Sequence, residues 1–67
     1  MMRAEEYNAE EQELAGVRVE VRSYRLGDTY YCHVANKDAG ATIARASGVT
    51  RQEAVQEAVE KAKMRLR

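Results

Sequence analysis

Cys32 and His33 are the only cysteine and the only histidine of the 67-residue chain, and they are neighbours. Successive side chains on an extended strand point to opposite faces, so this thiol and imidazole cannot act as nucleophile and base within one chain. With one of each there is no C-x-x-C and no H-E-x-x-H, and a zinc site would have to be shared between chains. G-x-G-x-x-G and Walker patterns are absent as well. Cys32 reads as a small buried hydrophobe, and the chain as a non-enzyme that needs no cofactor.

Two groups of residues could bind a partner. Arg18, Glu20 and Arg22 alternate with valines, and Tyr31 and His33 alternate with Cys32 and Val34. If the two segments pair, Arg18, Arg22, Tyr31 and His33 share a face, which Arg45 joins from a third strand. Basic groups among flat rings can meet phosphates and stack bases. Tyrosine and arginine are also enriched in protein interfaces, and a solvated antiparallel face needs no ligand at all. The second group is Thr50, Arg51 and Gln52, at the start of a helix whose free amides and Arg51 could receive an anion. A helix cap explains the same residues without a ligand.

The four glycines, with no proline anywhere, divide the chain into five pieces. Residues 3–14 are rich in Ala and Glu, with Ala4, Tyr7 and Leu14 near one helical face, and predict a weak N-terminal helix. Val17, Val19 and Val21 alternate with charged residues, the signature of a half-buried strand. That alternation slips at Ser23 and Tyr24, which predicts a bulge or the end of the buried stretch. Gly27 and Asp28 make a turn into a second strand over 29–36, and turn formers at 36–40 lead to a third over 41–47. Beyond Gly48, Thr50 and Glu53 form a capping box. Val55, Ala58, Val59, Ala62 and Leu66 then recur on one helical face, with Glu57 and Lys61 paired on the other.

The passage Ala46-Ser47-Gly48-Val49-Thr50-Arg51-Gln52-Glu53-Ala54, followed by Ala58, Ala62 and Leu66, resembles the Gly-x-Ser-Lys-Lys-x-Ala-Lys opening and alanine-spaced helix of double-stranded RNA-binding domains. The resemblance places Thr50 at that family's serine position and Arg51, Gln52 and Val55 at its three lysine positions. It implies an α-β-β-β-α fold in which the start of the last helix contacts RNA phosphates. The basic end, Lys63-Met64-Arg65-Leu66-Arg67, is similar to that of ribosome hibernation factors, and Gly48-x-Thr50-x-x-Glu53-Ala54 to HicB-like antitoxin domains.

Hydrophobic residues make up 45% of the chain, but eleven are alanines and none is Phe or Trp, so the core must be thin. A domain this small buries only about 60% of its unfolded surface, and a second copy of itself is a reasonable partner. Eleven basic residues balance eleven acidic ones, which argues against a strongly cationic nucleic-acid grip. The balance is uneven along the chain: residues 1–14 carry a net −4 and residues 15–67 a net +4. One unpaired cysteine and no membrane-length apolar run fit a cytoplasmic protein. The expectation is an α+β protein with an acidic N-terminal arm over 1–15 and a single βββα domain over 16–67. Its three-stranded antiparallel sheet carries the C-terminal helix on one face. The expected role is a small binding module for RNA or the ribosome, or a protein-interaction module that forms a homodimer or an antitoxin-like complex.

Overall fold

The computed structural model describes residues 5–66. Four strands, β1 (Glu5–Leu14), β2 (Val17–Leu26), β3 (Thr29–Asn36) and β4 (Thr42–Gly48), precede one helix, α1 (Arg51–Arg65). The sheet is an antiparallel meander in the order β1-β2-β3-β4. The α+β class and the C-terminal helix on one sheet face agree with the sequence pattern. The three-stranded sheet and the N-terminal helix do not, because the described part of the acidic arm is a strand paired with β2.

Charge explains that correction. In a helix, Glu6 and Glu10 would stand four residues apart and Glu10 and Glu13 three apart, on shared faces where like charges repel. In the hairpin several carboxylates of this segment find cations. Glu5 and Glu6 pair with Arg25, and Glu11 with Lys37 at 2.7 Å. Glu13 stands opposite Arg18 in the ladder.

The expected slip at Ser23 is also absent. Strand β2 alternates without interruption, so Ser23 is buried opposite Cys32 while Tyr24 turns to the other face opposite Tyr31. The irregularities lie elsewhere, between Glu5 and Asn8 on β1 and at Val34/Ala35 against β4.

Val19 and Val21 from β2, Cys32 and Val34 from β3, and Ala44 from β4 face Ala54, Ala58 and Ala62 of the helix. Tyr30, Ile43, Val55, Val59 and Leu66 close the margins. The helix lies chiefly over β4 and β3, reaches β2, and barely touches β1. Its start is tightly fixed. Thr50 accepts from the Glu53 amide at 3.1 Å, and a Cβ on Gly48 would lie 3.0 Å from the Glu53 side chain and 3.1 Å from the backbone nitrogen of Ala54. Glu57 and Lys61 form their i,i+4 pair at 3.5 Å, and Arg65 donates to the carbonyl of Ile43, tying the last turn to β4.

Two substitutions test this junction by urea unfolding. Thr50→Ala should cost about 1 kcal/mol through loss of the cap. Gly48→Ala should cost roughly 1–3 kcal/mol, because the strand must move away from α1 to admit the methyl group. A neutral Gly48→Ala would mean that the close approach does not constrain the fold.

Candidate functional site

Among the described residues nothing covers the sheet face opposite α1, and the hairpin registers decide what stands on it. The two-residue turn at Gly27-Asp28 pairs Leu26 with Thr29, which brings Tyr24 opposite Tyr31 and Arg22 opposite His33. The β3–β4 ladder then sets Arg45 opposite His33 and Ser47 opposite Tyr31. Two cross-strand rows result: Tyr24, Tyr31 and Ser47, then Arg22, His33 and Arg45.

The rings interact across these rows. Tyr24 and Tyr31 stack with centroids 5.6 Å apart and planes inclined by 22°. The diagonal neighbour His33 lies 5.7 Å from Tyr24, with the Tyr24 hydroxyl 3.3 Å from its Nε2. Such cross-strand and diagonal contacts hold side chains upright on a sheet, so the three rings form one contiguous aromatic patch beside the charged residues of this face.

The surrounding charges are graded. Arg22 pairs with Glu20 on its own strand. Arg18 is held by Asp38 at 3.1 Å, with Glu11 at 3.9 Å, and Glu11 also binds Lys37. The Lys37 hydrogen bond, followed by its charge, holds the Glu11 carboxyl below the usual carboxylate range. Arg45, by contrast, makes no ion pair among the described residues and is exposed. The face thus runs from acidic and neutralised at β1 to basic at β4. A hollow of about 290 Å³ lies between Glu20, Arg22, His33, Ala35, Lys37 and Thr42, next to the rings. That is close to the lower bound of about 300 Å³ for small-molecule sites.

The residues singled out from the sequence are divided by the sheet. Arg18, Arg22, Tyr31 and His33 do share the open face. Thr50, Arg51 and Gln52 lie on the helix side, where Thr50 serves as the cap and Gln52 borders a groove beside Val21, Ser23 and Val55. Arg51 donates to the Glu6 carbonyl and stands 5.9 Å above the Tyr30 ring. Tyr24 is the residue that sequence reasoning missed. Counting back from the two-residue turn at Gly27-Asp28 would have placed it beside Tyr31. Among the described residues no three His, Cys, Asp or Glu side chains gather to hold a metal ion, and no helix is long and apolar enough to cross a membrane.

Partial burial, and then the charges of Arg45 and Arg22, push the His33 imidazole below its ordinary 6.5. The unfolded chain therefore binds the proton more readily, and stability should fall as pH drops through and below 6.5. An NMR titration should give a His33 midpoint below 6.5 that rises in Arg45→Gln. Urea unfolding should show lower stability at about pH 5.5 than at about pH 7, with the difference removed in His33→Gln. A midpoint at or above 6.5 would contradict the description of this row. Burial alone lifts the Cys32 thiol to about 11, so Cys32 should resist thiol reagents in the folded protein at about pH 8 and react on unfolding.

Comparison with family models, curated proteins and solved structures finds no match, leaving the geometry of this face as the basis for a functional reading.

Proposed function

We propose that the protein is a small non-enzymatic binding module whose open sheet face takes single-stranded RNA, free or as an exposed segment of the ribosome. The observation that carries this reading is the Tyr24/Tyr31/His33 patch flanked by Arg22 and Arg45, on a face that no element among the described residues covers. Unpaired bases have two free π-faces, and a sheet that holds aromatic rings upright offers them a stacking platform. The unpaired guanidinium of Arg45 lies one row away, where the phosphate of a stacked nucleotide would run. A duplex fits less well. Its bases are already stacked on one another, and Arg51, the one basic residue kept from the duplex-binding pattern, is engaged by Glu6 and Tyr30. A buried lone thiol suits work in a reducing cytoplasm.

A second reading, a protein-interaction module, is favoured by the neutralisation of Arg18 and Arg22. A mixed-charge face with tyrosines and arginines matches the composition of protein interfaces. Salt separates the two. Phosphate binding weakens steeply between about 50 and 200 mM salt, whereas a protein interface with stacked tyrosines at its centre changes little.

Fluorescence anisotropy with a short labelled single-stranded RNA is the direct test. Tyr24→Ala and Tyr31→Ala should each weaken binding by about 1–3 kcal/mol, and Arg45→Gln should lower both the affinity and the salt slope. Glu11→Gln should strengthen binding by releasing Lys37 and removing one negative charge from the face, while Arg51→Glu should leave it unchanged. Equal affinity in wild type and Tyr31→Ala, or binding lost only in Arg51→Glu, would sink the assignment to this face.

A further inference from the structure

The sheet ends at β1 on one side and at β4 on the other, and among the described residues no further strand pairs with either. The antiparallel ladder fixes which backbone groups each edge presents. The Lys37 amide donates to the Arg18 carbonyl at 3.0 Å, continuing the β2–β3 register beyond Val19 and Asn36. Backbone bonding alternates from side to side along an antiparallel strand, so Arg18, Glu20 and Arg22 bond toward β3, and Val17, Val19, Val21 and Ser23 toward β1. Their partners on β1 are Leu14, Gln12, Glu10 and Asn8. Glu13, Glu11 and Ala9 therefore turn their N–H and C=O groups outward. By the same alternation Cys32 and Val34 bond Ala46 and Ala44, and Arg45 and Ser47 turn their groups outward at β4.

The two edges match in geometry. The outward residues of both carry their side chains on the open face, where Glu13 stands opposite Arg18, Glu11 opposite Glu20, Arg45 opposite His33 and Ser47 opposite Tyr31. In a four-stranded meander β1 and β4 run in opposite directions. Two copies set side by side in the same orientation therefore bring β4 of one antiparallel to β1 of the next, with no copy turned over. They also match in charge. Strand β1 carries five glutamates. The β4 edge carries Arg45, and above it lies the flank of α1 with Arg65, whose guanidinium reaches the Ile43 carbonyl, and Lys61 one turn before. Pairing β1 with β1 or β4 with β4 would set like charges against each other, which is destabilising across a ladder.

We propose that copies of this chain associate edge to edge, the outer side of β4 in one against the outer side of β1 in the next, so that the sheet runs on from copy to copy. The register that fits charge on both faces sets Arg45 opposite Glu11 and Ser47 opposite Ala9 of the next copy. On the open face Arg45 then has Glu13 as a diagonal neighbour within reach of a long side chain, and Glu13 makes no ion pair among the described residues. On the other face Glu10 falls opposite Ala46, beneath the flank with Lys61 and Arg65. All helices lie on one side of the extended sheet and all tyrosine patches on the other. The junction joins two different edges, so every added copy leaves one of each kind free and the row grows past the dimer. The proposal does not rest on the RNA reading. Arg45 is common to both, so association is measured without nucleic acid.

Sedimentation equilibrium of the full chain at about 50 mM salt, where screening is weak, is the test. The weight-average mass should rise with concentration past twice 7.6 kDa. A mass that stays at one copy, or levels off at two, would overturn the proposal. Ala9→Pro and Ser47→Pro each remove an outward amide hydrogen from one edge, the kind of position where a sheet accepts proline. Each variant alone should remain a single copy, and an equal mixture should give dimers and nothing larger, because one free β4 edge meets one free β1 edge. Pairing through like edges or through the open faces would instead let a variant dimerise alone, which would equally overturn it. Should a proline variant fail to fold, Arg45→Glu decides, at an exposed residue with no ion pair to lose. It should weaken association about tenfold, and unchanged association would count against the proposal in the same way.

Discussion

One helix has to dry the whole interior. A helix with its side chains is about 10 Å across and strands lie about 4.8 Å apart, so α1 can shelter about three strands of a four-stranded sheet. Ala54, Ala58 and Ala62 face inward with no bulk of their own, which brings the helix down onto Ala44, Cys32 and the valines of β2 and β3. The remaining features follow from that limit. Strand β1, beyond the helix, carries polar residues even on its inner side. The face turned away from α1 stays wet, and there the stacked rings of Tyr24 and Tyr31 stand beside His33, Arg22 and Arg45.

The strand that the helix does not reach is secured by electrostatics. An isolated exposed ion pair stabilises by well under 1 kcal/mol, and those of β1 are exposed. Several of them act together here along a continuous backbone ladder, which is enough to place the strand but leaves it the least anchored part of the sheet. These charges also set the character of the open face, because Glu11 of β1 draws Lys37 and, with Asp38 of the β3–β4 turn, engages Arg18, which leaves Arg45 as the exposed cation of the far side.

Much of this was legible in the sequence where period and turn chemistry agreed. The alternation of Val17, Val19 and Val21, the turn at Gly27-Asp28 and the cap at Thr50 mark β2, the central hairpin and the start of α1. Residues 5–14 were not legible because Ala and Glu favour a helix locally. The cations that select a strand, Arg18, Arg25 and Lys37, lie far along the chain, and long-range pairing overrides propensity. Ser23 misled for a different reason. A small hydroxyl suits the crowded ground beneath the helix, so the buried phase continued where hydropathy said it had ended. The open face was half legible: Arg18, Arg22, Tyr31 and His33 were visible from the strand period, whereas Tyr24 required the register. The resemblance that drew attention to Arg51 rested on residues that cap and tie down the helix.

The graded face also gives the molecule a polarity that its zero net charge conceals. Glutamates line the β1 edge, while Arg45 and Arg65 stand at the β4 side and Lys61 and Lys63 lie toward the end of α1. The protein is therefore an electric dipole across the sheet. In dilute salt, an approaching polyanion would turn it so that β4 leads. At physiological ionic strength the Debye length of about 8 Å is less than half the 19 Å middle dimension of the molecule. Each edge then acts only on what is already close to it, and the two sides of one small sheet can present opposite charge to different neighbours at the same time.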